Sequence, residues 1–211
     1  MKYIDRKTYG QDELEKLVTK IPFFREISAS NHEQFNLLLD ASKIAQAKTN
    51  EELIKQGSRD DYLYFLLKGM LDVKAGNSSG KNSVINSIHT GEVFGALAML
   101  MNSERTATIV TSPNSKEVIV LALPYSLFQG IDEFEQFTLQ TKLSFYRMLT
   151  NNIRWTIEMK KSVSPNSALV KEVRKLPLYF GEKGGIDELK ALKEQATASA
   201  ELLFKWNALE D

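Results

Sequence analysis

The chain is 211 residues long, 43% hydrophobic and 26% charged, which gives room for one good core and a smaller appendage. Lys plus Arg equals Asp plus Glu at 27 each, so no global field draws in nucleic acid or anionic lipid. The absence of cysteine excludes disulfides, thiolate metal sites and cysteine nucleophiles. The N-terminus does not read as a signal peptide and no run approaches roughly 18 apolar residues, so the expected location is cytoplasmic, with no membrane partner.

Residues 12–20 are patterned as a helix that stops before Pro22. Ile21 to Ile27 read as a turn, and Ser30 with Glu33 as a capping box opening a second helix. From 43 to 123 the texture changes to short apolar or alternating runs: 43–48, 52–55, 62–68, 70–75, 82–88, 107–111 and 117–124. Turn residues separate them, at Gly57 to Asp60, at Gly69, in the Gly/Ser/Asn stretch 76–83, at Gly91 and at Pro113-Asn114. Closely spaced strands of this kind predict an antiparallel barrel or sandwich.

The most informative stretch is 91–110, Gly-Glu-Val-Phe-Gly-Ala-Leu-Ala-Met-Leu followed by Met-Asn-Ser-Glu-Arg-Thr-Ala-Thr-Ile-Val. It reads as a strand end, a tight glycine turn, one short helical turn, a lone arginine and a β-branched strand. Glycines allow close backbone approach and free N–H groups favour negative charge. Arg105 adds a fork of donors suited to phosphate.

Residues 132–161 are patterned as a long helix with two apolar stripes. One holds Leu139, Leu143, Tyr146, Ile153 and Ile157; the other holds Phe134, Phe137, Phe145, Met148, Trp155 and Met159, with Asn152 set within it. A break at Ser164 to Ser167 precedes a short helix through Lys175. Another helix is expected at 186–206, its apolar face formed by Ile186, Leu189, Leu192, Ala196, Leu203 and Phe204. The chain thus divides into an N-terminal helical segment (1–42), a β-domain (43–131), a long helix (132–161) and a helical tail (162–211).

The 91–110 string resembles the phosphate-binding cassette of cyclic nucleotide-binding domains, the family of the bacterial catabolite activator and the regulatory subunit of protein kinase A. Gly57, the run Tyr62 to Leu67, Lys68-Gly69 and Thr90-Gly91-Glu92 match the same family in order, and the resemblance extends over roughly residues 21–160. It implies an α+β fold: an antiparallel β-barrel of double-stranded β-helix or jelly-roll type, flanked by N-terminal helices and a long C-terminal helix, with a short helical tail. It also implies that backbone N–H groups of Gly95, Ala96, Leu97 and Thr106 ring a phosphate. Arg105 would pair with that phosphate, Thr106 would add a hydroxyl, and Thr108 would lie near the base.

The implied ligand is cyclic AMP or cyclic GMP, with no other cofactor and no metal. One position departs from the pattern, since the family has a glutamate for the ribose 2′-OH where this chain has Ala96. Loss of a hydrogen bond worth about 1.5–3 kcal/mol weakens binding by roughly tenfold to more than a hundredfold. Three readings follow: a cyclic nucleotide held with Glu104 or water in place of the carboxylate, a different anion, or an unliganded scaffold with Arg105 in an internal ion pair.

The family resemblance further implies a homodimer through 132–161; the alternative is that 165–211 folds back over this face of the long helix in the same chain. The helical tail is expected to contact a protein partner. The 47 residues after Ser164 are near neutral and carry no evident wing, so DNA binding is not expected. His32 and His89 lack metal-ligand spacing, and the acidic pairs Glu51-Glu52 and Asp60-Asp61 read as solvated turn residues. No nucleophile–base motif is present and the chain is not expected to be an enzyme.

Overall fold

A computed structural model describes residues 1–5, 8–76 and 82–210. The glycine- and serine-rich turn expected at 76–83 falls largely outside them. Two compact units emerge: Met1–Met99 with Ser103–Leu127, and Leu100–Asn102 with Phe128–Asp211.

The first unit opens with strand β1 (Lys2–Ile4) and helices α1 (Gln11–Val18), α2 (Pro22–Ser30) and α3 (His32–Ala41). The segment expected to be a turn at 21–27 is therefore largely helical. Pro22 sits at the first helical position, where its missing N–H costs nothing and its fixed φ favours the helix. Asn31, rather than Ser30, caps α3: its side chain accepts from the Gln34 N–H at 3.1 Å.

The strands follow as β2 (Lys43–Lys48), β3 (Glu52–Ile54), β4 (Tyr62–Lys68), β5 (Met70–Gly76), β6 (Asn82–His89), β7 (Val93–Phe94), β8 (Thr108–Thr111) and β9 (Glu117–Pro124). The short helix α4 (Ala96–Leu100) lies between β7 and β8. The mixed helix-and-sheet class matches expectation, but the strands do not close into one barrel. They form a five-stranded antiparallel sheet, β1-β2-β9-β4-β7, and a four-stranded one, β3-β8-β5-β6. A two-residue β7 and a β6 that pairs, among the described residues, with β5 alone leave hydrogen-bonding edges where a barrel would be continuous.

One apolar core fills the space that both sheets share, with Tyr64, Leu66, Val118, Val120 and Ala122 from the larger sheet meeting Leu71, Ile88 and Ile109 from the smaller. Alternate residues of β4 and β9 (Leu63, Phe65, Leu67, Ile119, Leu121, Leu123) are also buried. Phe65 packs edge-on against Phe24 of α2 at 4.9 Å and stacks on Phe23 at 6.4 Å. Strands buried on both faces read as continuous apolar runs.

The second unit is built on α5 (Leu139–Val163), α6 (Leu169–Val173) and α7 (Ile186–Glu210). The long helix begins at Leu139 rather than near 132. Thr138 caps it, and the buried Lys142 ammonium donates to the carbonyls of Gly130 and Glu133, holding the preceding segment in a turn. Phe137 is buried there, stacking at 5.0 Å on Phe128, which also stacks on Phe145 at 3.8 Å. Phe134 is exposed.

Of the first expected stripe, Leu143, Tyr146, Ile153 and Ile157 are buried, joined by Leu149. The second stripe is split, with Phe145 buried but Trp155 and Met159 exposed. In α7, Leu189, Leu192, Ala196 and Leu203 are buried as expected, whereas Phe204 is exposed and Trp206 takes its place inside.

The tail folds back on α5 of the same chain. Arg147 pairs in a two-pronged fashion with Glu188, at 2.9 and 2.8 Å, and the Thr150 hydroxyl donates to the Leu192 carbonyl at 3.3 Å. Burial by itself would raise the Glu188 carboxyl, but the Gly184 N–H and the Arg147 guanidinium outweigh it and hold the group below the ordinary glutamate value. A depressed carboxyl contributes stability above its unfolded pKa and loses it as pH falls through the folded value. The expected result is therefore a second unit that weakens only as pH drops below about 4, measured by α7 hydrogen exchange, with Glu188→Gln flattening that dependence.

Candidate functional site

The 91–110 segment is docked on β4 at its entry. The Gly91 N–H donates to the Leu66 carbonyl at 2.8 Å, and the Leu66 N–H donates to that of Glu92 at 3.0 Å. Gly95 then takes a φ of +85°, a left-handed conformation that glycine adopts freely, and the chain turns into α4. Beyond α4, Arg105 exchanges backbone hydrogen bonds with the turn before β4. Its N–H donates to the Ser58 carbonyl and its carbonyl accepts from the Gly57 N–H, both at 2.8 Å.

These contacts place the Arg105 side chain inside the protein, with the residue only 4% exposed. Its Nε donates to Asp60 Oδ2 at 3.1 Å, and its Nη2 donates both to Asp60 Oδ1 and to the Tyr62 carbonyl. Nη1 donates to the Gly95 carbonyl at 2.7 Å. A guanidinium has five N–H donors, and four of them are engaged within the chain. The pair with Asp60 is the fork-to-carboxylate geometry that also recognises phosphate.

The guanidinium lies 5.5 Å from the centre of the Tyr64 ring, which stacks on Phe94 at 5.4 Å. Burial first, and then the Asp60 carboxylate, pushes the Tyr64 hydroxyl far above the ordinary tyrosine value. It stays a neutral donor at any physiological pH.

The other expected site residues are placed as follows. Gly95 touches Arg105 so closely that a Cβ there would sit 2.5 Å from Nη1. Ala96 is buried at the start of α4 and offers no acceptor beyond its carbonyl, while Leu97 and Thr106 are half-buried. The Thr108 hydroxyl accepts from the Gln56 N–H at 3.0 Å, which ties β8 to the turn after β3. Glu104 is exposed and lies 3.7 Å from Arg59 Nε. It faces another surface side chain.

Asp60, which in sequence has the character of a solvated turn acid, carries the main contact of the cassette arginine. The available signal was a buried-type arginine in a chain whose turn before β4 holds two adjacent carboxylates. Asp61 does local work instead, accepting from the Ser126 N–H at 3.2 Å. Among the described residues no cluster of His, Cys, Asp or Glu is arranged to hold a metal, and no helix is long and apolar enough to cross a membrane.

Comparison with known proteins places this geometry in context. Residues 45–132 match the family model described as "Cyclic nucleotide-binding domain". Over 169 residues, 75% of the chain, the sequence is 28% identical to a cGMP-dependent protein kinase of Eimeria tenella, of which the match spans 15%. Over 103 residues, 49% of the chain, it is 31% identical to a cAMP-dependent protein kinase regulatory subunit of Debaryomyces hansenii, of which it spans 21%. The chain thus covers about a fifth or less of these relatives. In fold it resembles the crystal structure of a cyclic nucleotide-binding domain from Methylobacillus flagellatus, with a TM-score of 0.55 at 18% identity, covering 78% of this chain and 88% of that one.

Proposed function

From the match of residues 45–132 to the cyclic nucleotide-binding domain family, we propose that this chain is a regulatory module whose cassette is filled by its own Asp60. The observation that carries this reading is the engagement of four of the five Arg105 donors within the chain, the Nε and Nη2 fork by Asp60. For a ligand phosphate to take the guanidinium fork, it must displace a carboxylate already bound in the same geometry at no cost in association entropy. Ala96 removes the compensating contact to a ribose hydroxyl. The domain would then act on a partner as a ligand-independent docking and regulatory element rather than as an enzyme. The named relatives are a protein kinase and a kinase regulatory subunit, so a protein kinase is the partner class to test first.

The second reading is cyclic AMP or cyclic GMP held by Gly95, Ala96, Leu97, Arg105, Thr106 and Thr108, with closure of the cassette shifting the population of regulatory states. The retained left-handed Gly95 and the fifth Arg105 donor favour it. Homodimerisation through 132–161 belongs with either reading. Its contact would rest on the exposed Trp155 and Met159, four residues apart on α5.

Calorimetric titration of the whole chain with cyclic AMP and cyclic GMP separates the two. No saturable heat up to about 1 mM ligand, where binding is worth only about 4 kcal/mol, is the expected result. Saturable heat at micromolar ligand, lost in Arg105→Lys, would overturn self-occupancy and establish the second reading.

A further inference from the structure

The second unit carries a groove that the cassette does not involve. It is a cavity of about 110 Å³ between the C-terminal half of α5, the end of α6 and the segment leading into α7. Its floor is apolar, from Ile157, Val173, Leu176 and Leu178. The segment is fixed in place by Gln195, whose side-chain amide donates to the Pro177 carbonyl at 2.8 Å. Leu178 is 54% exposed, a large apolar side chain left facing water.

Arg154 and Arg174 border this floor. Both are exposed, and among the described residues neither guanidinium has a hydrogen-bond or ion-pair partner. The acid beside them, Glu158, is held by Lys161 at 2.8 Å, so it does not neutralise either guanidinium. The local balance is therefore positive around an apolar depression, in a chain whose total charge is zero.

From this complementarity we propose that the groove docks a peptide segment of a partner protein. The segment would place one bulky apolar side chain on Ile157, Leu176 and Leu178, with carboxylates set against Arg154 and Arg174. Apolar contact gives the affinity, and the paired guanidinium forks select acidic over basic segments. The assignment rests on the reading that this chain acts on a protein partner, and it names that partner's chemistry. It does not depend on whether the cassette takes a nucleotide.

The test is selection on the whole chain from a display library of random dodecapeptides, followed by fluorescence anisotropy on the enriched sequences. Enrichment of peptides that combine an acidic residue with Leu, Ile, Phe or Trp is expected. Arg154→Gln with Arg174→Gln should weaken their binding at least roughly tenfold, as should Leu178→Asp, while leaving the fold intact because all three side chains are exposed. Raised salt should weaken it further. Absence of enrichment, enrichment of basic or wholly polar peptides, or affinity unchanged in the double variant would overturn the proposal. Sedimentation that shows a dimer lost in the same double variant would assign the groove to a second copy instead, also overturning it. If a kinase fails to bind while acidic peptides still select this groove, the partner class is wrong and the groove assignment stands.

Discussion

Asp60→Ala is expected to destabilise the first unit by about 3 kcal/mol, because it leaves the Arg105 charge buried without its counter-ion. The Arg105 side chain is nearly inaccessible and Asp60 is only partly exposed, so water cannot simply replace the carboxylate on Nε and Nη2. The carbonyls of Gly95 and Tyr62 remain as acceptors but carry no full charge. In a unit of this size such a loss lowers the melting temperature by several degrees or more, readable by circular dichroism or calorimetry.

The same variant tests whether Asp60 stands in for a ligand. With the carboxylate gone, inorganic phosphate or cyclic AMP added at millimolar concentration should raise the melting temperature of Asp60→Ala while leaving that of the parent unchanged. An anion that binds only the folded state stabilises it in proportion to the logarithm of its concentration over Kd. If Asp60→Ala is as stable as the parent, the ion pair contributes nothing and the self-occupancy reading loses its energetic basis. If it is destabilised but no anion restores it, the pair is structural only.

Trp206→Ala should be the costliest single truncation in the second unit, at about 3–5 kcal/mol. Trp206 is 1% exposed near the end of α7 and continues the buried series Leu189, Leu192, Ala196, Ser199 and Leu203 at spacings of three and four. Removing it opens a large cavity late in a helix that is itself held on α5 through Arg147–Glu188 and Thr150. The control lies two residues away. Phe204→Ala removes a side chain of similar size that is 38% exposed, and should cost less than about 1 kcal/mol. Hydrogen exchange along α7 distinguishes the outcomes, with protection lost in the Trp206 variant and kept in the Phe204 variant. Equal effects of the two would mean that α7 does not pack on α5 in the same chain.

The contrast between Trp206 and Phe204 lies within the helical period, since residues two apart point about 200° apart around the axis. Trp206 continues the buried series at spacings of three and four, whereas Phe204 falls outside it, although both are large and apolar. The strands were easier to read, because β4 and β9 bury both faces and so form unbroken apolar runs bounded by turn residues. The α2 helix was hidden by Pro22, which marks a helix start as readily as a stop. The period alone sets the onset of α5 too early, because Phe134 and Phe137 fit it although the turn bound by Lys142 holds them outside the helix.

In the cassette, the order of residues from Gly91 to Thr108 disclosed the backbone cradle and its arginine. The partner of that arginine was invisible because Asp60 lies far upstream in sequence. Nothing in its own neighbourhood separates it from Asp61, whose carboxylate does a different task.

The position of β9 carries a consequence for how the molecule comes into being. It is the middle strand of the five-stranded sheet, pairing Ala122 with Lys43 on one side and Leu121 with Phe65 on the other. The strands that flank it are synthesised well before it, so they must wait with open edges until residues 117–124 leave the ribosome. Assembly of that sheet is then a late, non-local event whose rate is set by chain closure rather than by local propensity. The interval before closure is when the apolar runs of β2 and β4 stand most open to pairing with another chain.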